Sequence, residues 1–230
     1  MNDSRPGFRI AASWDRGTAE SSEQSSGIPT PTISDAMHRL GAMDSGIRAL
    51  HSRAQCAGPA LTVWTRAGDN LMIHKAINMA KPGDVLVING QGDLTRALLG
   101  ELMCSSAKEL GIAGVVVDGA VRDICAIAEM SFPVFGRGAA PGGPFKNGPG
   151  EIGFPVACGG VVCSPGDLVV GDADGVVVVP KQDAVSVLDR AASIQQGEER
   201  RRREISSGQP QRSGIDEILE REGVINPQGR

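Results

Sequence analysis

Tyrosine is absent from this chain, and aromatic residues of all kinds make up only 3% of its 230 residues. Aromatic side chains are the bulkiest apolar groups available to a protein core. A chain of this length buries a sizeable core, so Val, Ile, Leu and Ala must supply it. The 31 glycines indicate many tight turns and close backbone approaches.

Paired cysteines and long apolar runs are also missing. The number of cysteines is odd and they form no CxxC motif; they are Cys56, Cys104, Cys125, Cys158 and Cys163. This usage favours buried free thiols in a reducing compartment over disulfides or a zinc site. No run reaches the ~18 apolar residues of a membrane helix, and the first residues lack the apolar region of a secretion signal. We therefore expect a cytoplasmic protein with no membrane partner.

Positive charge is neither abundant nor concentrated. The formal net charge is −4, and most basic residues are scattered. The exception is the run Arg200–Arg203, which lies next to Glu198, Glu199 and Glu204. Such mixed charge is typical of a solvated helix face, and a nucleic-acid patch is the alternative. We predict that nucleic acid is not a partner.

Strand and helix patterns alternate through the middle of the chain, as they do in a parallel βα layer. Short strands with Gly, Pro and Asp turns follow, and good helix formers fill a long segment after them. The pattern predicts an α/β fold with a parallel or mixed sheet flanked by helices, a strand-rich second half and a long C-terminal helix. The predicted divisions are a flexible segment over 1–27, an α/β core over 28–180, a helix over 181–208 and a polar tail over 209–230.

The segment from Gly100 to Asp123 carries the main functional signal. It has the pattern of a helix, a turn and a buried strand, and it ends in the pair Arg122-Asp123. Sites in open α/β sheets lie at the carboxyl ends of strands. Arg offers a forked donor to anions, and Asp offers a hard oxygen suited to Mg²⁺ or Mn²⁺. A structural salt bridge at the strand end is the alternative interpretation.

The start of the helix in this segment decides whether an anion site exists. If the helix starts at Gly100, Glu101 lies close to Arg122 and Asp123, and the free N–H groups of Leu102 and Met103 can bind an anion. If it begins near Thr95, Glu101 is in mid-helix and the anion site is lost. The residue pattern alone slightly favours the start near Thr95.

Three further polar residues are candidates with ordinary alternatives. Asp69 or Asn70 fits the N-cap of the helix that follows them. His74 lies one turn further along, where a single histidine is more often structural than catalytic. Lys146, in a loop rich in Gly and Pro, is able to reach a carboxylate or simply to be exposed.

Several motifs occur in a fixed order: PTISDAMHRLG, CAGPALTV, AGDNLMIHKAINMAKPGDVLV, GELMCSSAKELGIAGVVVDGAVRD, FPVFGRG and PGDLVVGDADGVVVVP. Together they resemble the RraA-like superfamily over roughly residues 28–208. Within it, the chain is most similar to the class II 4-hydroxy-4-methyl-2-oxoglutarate / 4-carboxy-4-hydroxy-2-oxoadipate aldolases. The resemblance implies cleavage of a 4-hydroxy-2-oxo di- or tricarboxylic acid to pyruvate and a second 2-oxo acid. It also implies a divalent metal, Mg²⁺ or Mn²⁺, and oxaloacetate decarboxylation as a side activity.

The resemblance implies a role for each of these charged residues. Asp123 would bind the metal directly, and Glu101 and Glu198 would reach it through water, with Glu198 acting from a neighbouring subunit of a trimer or a dimer of trimers. Arg122 would hold the keto or enolate oxygen, and the resemblance moves the expected helix start to Gly100. The implied substrate contacts are Gly100, Leu102, Met103, Arg122, Asn70, His74 and Lys146.

Two positions depart from the family pattern. Glu101 occupies a place that is usually Asp, which moves its carboxylate by one methylene. Ala126 occupies a place that is usually acidic, so a partner that would tune metal affinity is missing. The resemblance also includes regulators that inhibit ribonuclease E by protein contact. That role does not require the Arg-Asp pair, so Arg122-Asp123 favours the enzyme.

Overall fold

The computed structural model of the protein describes residues 5–17 and 19–225. Its strands in these ranges are β1 (Phe8–Ile10), β2 (Arg48–Ala49), β3 (Cys56–Thr65), β4 (Val85–Leu99), β5 (Gly114–Val121), β6 (Val134–Ala139), β7 (Gly150–Ile152), β8 (Val156–Cys158), β9 (Val161–Cys163), β10 (Leu168–Asp172) and β11 (Gly175–Val179). Its helices are α1 (Ala19–Gln24), α2 (Thr30–Ala36), α3 (Leu71–Met79), α4 (Glu101–Glu109), α5 (Ile124–Glu129), α6 (Ala184–Ser206) and α7 (Ile215–Arg221).

A mixed sheet organises the chain, as the sequence predicted. Strands β3, β4, β5 and β6 lie side by side and pair in parallel. Antiparallel strands extend both sides: β7 pairs with β3, and β2 pairs with β6. Strand β10 pairs with β3 and β11 in antiparallel fashion, which makes the second half rich in strands. The predicted α/β class with a mixed sheet is confirmed.

Strand β5 and the first residues of β4 are buried on both faces, and they carry almost continuous apolar runs. Side chains alternate between the faces of a strand. Val115 and Val117 of β5 therefore pack with Leu86 and Ile88 in one apolar cluster, whereas Val116 packs in another on the opposite face. The aliphatic core expected from the scarcity of aromatic residues is present.

The helical pattern around Thr95 forms a strand instead. Strand β4 continues to Leu99, which pairs with Val121 of β5, and α4 begins only at Glu101. Gly100 is the N-cap, in an extended conformation. The pattern-based preference for a start near Thr95 is therefore wrong, because pairing with a buried strand overrides the helix propensity of these residues. The start at Gly100, implied by the family resemblance, is confirmed.

The N-terminal segment differs from its composition-based prediction. Within its described residues, β1 pairs in parallel with β7, and Arg9 forms an ion pair with Glu151 at 2.9 Å. Residues 19–24 form α1. The polar composition of the segment indicated flexibility, but these contacts reach across about 140 residues of chain and leave no local pattern.

The chain separates into two compact units, Met1–Ala192 and Ser193–Arg230, so the boundary falls within α6. In the second unit, Arg202 pairs with Glu198 at 3.4 Å and Arg201 pairs with Glu204 at 2.9 Å. The arginine run therefore lies in a solvated stretch of α6 with mixed charge. Among the described residues, no helix is both long enough and apolar enough to cross a membrane.

The cysteines are free thiols, and four of the five are buried. Burial raises the pKa of Cys104 and of Cys158 to about 12. Cys125 is exposed, so the prediction of buried thiols is wrong for this residue. It lies in the short helix α5, directly after the polar end of β5.

Candidate functional site

The carboxyl ends of β4 and β5 bring the predicted residues to one edge of the sheet. The two strands are parallel neighbours, so the residues that follow them meet there. The backbone N–H of Arg122 donates to the carbonyl of Leu99 at 3.1 Å, and this hydrogen bond holds the ends of β4 and β5 together. We call the residues Gly100–Met103 with Arg122 and Asp123 the edge cluster.

Gly100 allows the close contact within the edge cluster. A Cβ atom at this position would lie 2.5 Å from Oδ2 of Asp123 and 2.9 Å from Cγ of Arg122. Asp123 is itself in the left-handed region, with φ of 59°, at the N-cap of α5. This conformation is unusual for a residue with a side chain and is often found at functional sites.

The carboxylate of Asp123 is only partly engaged. Its Oδ2 accepts a hydrogen bond from the N–H of Glu101 at 3.2 Å and lies 3.5 Å from Nε of Arg122. The side chains of Arg122 and Asp123 are each 45% exposed. Among the described residues, no donor reaches the Oδ1 atom, so one hard oxygen is available to a ligand.

The first turn of α4 offers backbone donors beside this pair. The N–H groups of Leu102 and Met103 have no acceptor inside the helix, as at every helix start, and donate to no other acceptor in the described part of the chain. Helix N-termini attract anions through such N–H groups and the helix dipole. The edge cluster thus combines an anion site, a guanidinium and an open carboxylate.

Asn70 links the start of α3 to the edge cluster. It is in the N-cap position of α3, but its side chain makes no cap hydrogen bond. Instead, Nδ2 donates to the carbonyl of Leu98 at 3.0 Å and contacts Sδ of Met103 at 3.3 Å. Its Oδ1 is buried without a partner. The cap hydrogen bond comes from Asp69, whose Oδ1 accepts from the N–H of Leu71 at 2.9 Å.

His74, in α3, and Lys146, in a loop, are close enough to interact electrostatically. Partial burial and, after it, the positive charge of Lys146 lower the pKa of His74 below its usual range. Lys146 is exposed on the loop between β6 and β7. The N–H of Asn70 donates to the carbonyl of Phe145 at 2.9 Å, which holds this loop against α3.

The donor set at the edge cluster fits a hard cation bound mostly by water. Asp123 is a half-exposed carboxylate with an open oxygen, and Mg²⁺ commonly binds through one or two carboxylates while keeping several waters. Within the described residues, no group of three His, Cys, Asp or Glu side chains forms a complete protein cage for a metal. Ala126 follows in α5 and offers no second carboxylate. Glu198 lies in the second compact unit, where its carboxylate pairs with Arg202.

Sequence reasoning missed a second group of charges, Arg137, Asp118 and Asp44, which we call the strand cluster. Arg137 of β6 pairs with Asp118 of β5 and also with Asp44, at 2.8 Å. Both carboxylates raise the pKa of Arg137, and the hydrogen bond from Arg137 is the largest cause that lowers the pKa of Asp44. The available signal was Asp118 itself, a charged residue inside the apolar run of β5.

The fold and the edge cluster define an α/β protein with a candidate anion and cation site at the carboxyl ends of parallel strands. The chain belongs to the RraA-like family: residues 30–178 match the family described as "RraA-like: Aldolase/RraA". The family resemblance identified from the sequence motifs is therefore confirmed.

Several proteins are similar to this chain in sequence or in structure. It is 50% identical over 179 residues to a Halalkalibacterium halodurans protein named "Putative 4-hydroxy-4-methyl-2-oxoglutarate aldolase", covering 78% of this chain and 85% of that protein. An uncharacterized protein from Pseudomonas syringae has a similar structure, with a TM-score of 0.77 and 30% identity over 85% of this chain and 96% of the other. The RNA-processing inhibitor RraA from Thermus thermophilis is also similar, with a TM-score of 0.61 and 34% identity over 66% of this chain and 92% of the other.

Proposed function

We propose that this protein is a divalent-metal-dependent aldolase of 4-hydroxy-2-oxo di- or tricarboxylic acids that releases pyruvate and a second 2-oxo acid. The observation that carries the proposal is the contact at Gly100, which lets a guanidinium, a carboxylate with an open oxygen and a free helix N-terminus share one edge of the sheet. The name of the Halalkalibacterium halodurans relative supports the same reaction. Oxaloacetate decarboxylation is proposed as a side activity.

Substrate binding follows from the charges of the edge cluster. The N–H groups of Leu102 and Met103 hold the carboxylate at C1 of the substrate, and the guanidinium of Arg122 lies beside the C2 keto oxygen. Lys146 is a cation for the distal carboxylate. In this proposal, Asp123 would hold Mg²⁺ or Mn²⁺ directly, and Glu101 and Glu198 of a neighbouring subunit would reach it through water. The metal would supply Lewis-acid stabilisation of the C2 oxygen.

Cleavage begins when a base removes the proton of the C4 hydroxyl. The C3–C4 bond then breaks, its electrons form the pyruvate enolate, and C4 becomes the carbonyl carbon of the second product. Arg122 stabilises the negative charge that develops on the C2 oxygen. A water oriented by Glu101 is the base that takes the hydroxyl proton, and return of this proton to C3 completes pyruvate.

Oxaloacetate decarboxylation passes through the same enolate but requires no base for a hydroxyl proton. Glu101→Ala should therefore lower the rate of aldol cleavage on the order of a hundredfold, the usual effect of a lost proton-transfer group, and lower decarboxylation much less. The two rates are measured on one enzyme preparation by following pyruvate. Equal losses in both rates would contradict the role of Glu101.

The direct test is pyruvate release by the purified protein. The protein is incubated with Mg²⁺ or Mn²⁺ and, separately, with 4-hydroxy-4-methyl-2-oxoglutarate, 4-carboxy-4-hydroxy-2-oxoadipate or oxaloacetate. We expect metal-dependent pyruvate formation that stops when EDTA is added. Activity that survives EDTA would refute the metal requirement, and no pyruvate from any substrate by metal-loaded protein would refute the aldolase.

A second candidate function is regulation of ribonuclease E by protein contact, without catalysis. It is favoured by the similarity to the RNA-processing inhibitor from Thermus thermophilis. The two functions separate at Arg122. An Arg122→Met variant should lose pyruvate formation, whereas an inhibitor that acts through another surface would still inhibit the ribonuclease.

A further inference from the structure

Asp69 is the most completely buried carboxylate near the edge cluster, with no exposed surface. Its Oδ1 accepts from the N–H of Leu71 at 2.9 Å. Its Oδ2 accepts from the N–H of Asn147 at 2.7 Å and from the N–H of Gly148 at 3.0 Å. Nη2 of Arg66 lies 3.4 Å from the same oxygen. The two oxygens thus serve two different elements: the start of α3 and the loop that follows Phe145.

The loop has backbone anchors on either side of this contact. Before it, Phe145 donates to the carbonyl of Gly68 at 2.8 Å. After it, the carbonyl of Pro149 accepts from the N–H of Arg66 at 3.2 Å. In the described part of the chain, the hydrogen bonds that hold the residues between these anchors all end on the carboxylate of Asp69. Lys146 is the first residue of that stretch.

We infer that Asp69 is a positioning residue that fixes Lys146 against the helix carrying Asn70 and His74. The inference rests on the proposed function, because Lys146 matters for activity only if its ammonium binds the distal carboxylate of the substrate. Asp69 does not touch the substrate. It acts through the backbone N–H groups of Leu71, at the start of α3, and of Asn147 and Gly148, in the loop.

A carboxylate suits this position better than an amide of the same shape. An ionised carboxylate has two accepting oxygens and no donor, whereas Asn has one accepting oxygen and an NH₂ group. In an Asp69→Asn variant, the NH₂ would face either the N–H of Leu71 or the pair from Asn147 and Gly148. One of the two elements therefore loses its hydrogen bond to residue 69, and Lys146 is held less firmly against α3.

The first test is the kinetics of Asp69→Asn. The variant should weaken the contact between Lys146 and the distal carboxylate of the substrate. We expect KM for the 4-hydroxy-2-oxo acid to rise about tenfold with a smaller change in kcat, as for an interaction made equally in the ground and transition states. Lys146→Met should raise KM to a similar extent. The double variant should be little worse than either single variant, since both remove the same interaction. Additive effects in the double variant, or an unchanged KM in Asp69→Asn, would overturn the inference.

Asp167→Asn is the matched control. Asp167 is also buried, and its oxygens accept from the N–H of Ser164 at 2.7 Å and from the N–H of Lys181 at 3.1 Å. These contacts join two turns away from the edge cluster. The control should lose thermal stability like Asp69→Asn but keep the wild-type KM. A raised KM in both variants would mean that general destabilisation, not positioning, explains the effect.

The pKa of His74 reports the position of Lys146, and its measurement requires no activity assay. If Asp69→Asn releases Lys146, the pKa of His74 should rise toward its usual value, because the lysine charge that lowers it moves away. Removing the negative charge of Asp69 would by itself lower this pKa, so a rise reports movement of the lysine. The chain has only three histidines, which makes the measurement by NMR practical. A folded Asp69→Asn variant with an unchanged or lower His74 pKa would overturn the inference.

Amide hydrogen exchange in the wild-type protein covers the case in which Asp69→Asn fails to fold. The N–H groups of Asn147 and Gly148 should exchange slowly, although Asn147 is exposed, because both donate to a buried carboxylate. Exchange at unprotected rates would overturn the inference. If the wild-type protein releases no pyruvate, the proposed function fails, and the exchange and titration results still decide whether Asp69 holds the loop.

Discussion

The edge cluster and the strand cluster both pair arginine with aspartate at neighbouring strands, yet they are packed differently. In the strand cluster, Arg137 is 24% exposed and Asp118 only 12%, and their contact is close. In the edge cluster, Arg122 and Asp123 are each 45% exposed, with 3.5 Å between Nε and Oδ2. One guanidinium is saturated by two carboxylates, and the other keeps donors free for a ligand.

This difference separates structure from function within one sheet. Asp118 also accepts from the N–H of Gly159 at 2.9 Å, so the strand cluster ties β5, β6 and a later turn together. A buried pair of this kind is costly to break, since one charge is left without a partner. An exposed pair contributes little to stability. We therefore expect variants of the two clusters to affect different measurements.

The largest expected effect is on activity, in Asp123→Asn. The variant removes the open carboxylate oxygen proposed to hold the metal, and we expect pyruvate formation to fall about a thousandfold or more. The midpoint of thermal unfolding should stay close to that of the wild type, because the side chain is half exposed. Pyruvate release and thermal unfolding are measured on the same samples.

Asp35→Asn is the matched control for this variant. Asp35, in α2, is also an exposed carboxylate; it lies 3.7 Å from Arg39 and outside the edge cluster. It should keep full activity and stability. Wild-type activity in Asp123→Asn would show that the edge cluster does not hold the metal. A large loss of stability would show that Asp123 has a structural role.

The second expected effect is on stability, in Arg137→Met. The variant leaves Asp118 mostly buried without its cation, which should lower the free energy of unfolding by about 3 kcal/mol. Arg122→Met should change it by less than about 0.5 kcal/mol, as for other exposed ion pairs. Urea unfolding of the two variants gives the comparison directly. Similar losses in both would mean that the edge cluster is also a structural salt bridge.

A third variant, Gly100→Ala, should disturb the edge cluster alone. The added Cβ would displace the carboxylate of Asp123 and the side chain of Arg122, and an error of about 1 Å in such positions costs about a hundredfold in rate. The displaced carboxylate is a half-exposed side-chain end, and Ala is a poorer N-cap than Gly, so stability should fall by only about 1 kcal/mol. Full activity in Gly100→Ala would show that the close contact at Gly100 is not required.

The two clusters also show what the sequence could predict. The apolar runs of β4 and β5 predicted buried parallel strands, and the polar pair after β5 predicted an edge with charged residues. The start of α4 was not predictable from local pattern, because residues 94–99 have helical propensity and become a strand only through pairing with β5. The strand cluster and the role of Asp69 depend on contacts across 19 to 93 residues, which no local spacing reveals.

The smallest expected effect is on the reactivity of the thiol beside each cluster. Cys104 is buried near Asp123, and Cys158 near Asp118, and burial is the main cause that raises the pKa of each to about 12. Both thiols should resist a thiol reagent at pH 8, and only the exposed Cys125 should react in the native wild-type protein. Since the unfolded thiols ionise near pH 9.0, the native state keeps protons that the unfolded state loses between pH 9 and 12. Stability should therefore fall over that range as pH rises.

The variants should change this labelling pattern in one cluster only. Arg137→Met weakens the packing around Asp118, so Cys158 should be labelled faster at pH 8, as local opening becomes more frequent. Asp123→Asn removes a charge that raises the pKa of Cys104, but burial remains, so Cys104 should stay unreactive. Peptide mapping by mass spectrometry identifies the labelled residue. Faster labelling of Cys104 in Asp123→Asn would show that the edge cluster contributes to packing, and the distinction between the two clusters would then fail.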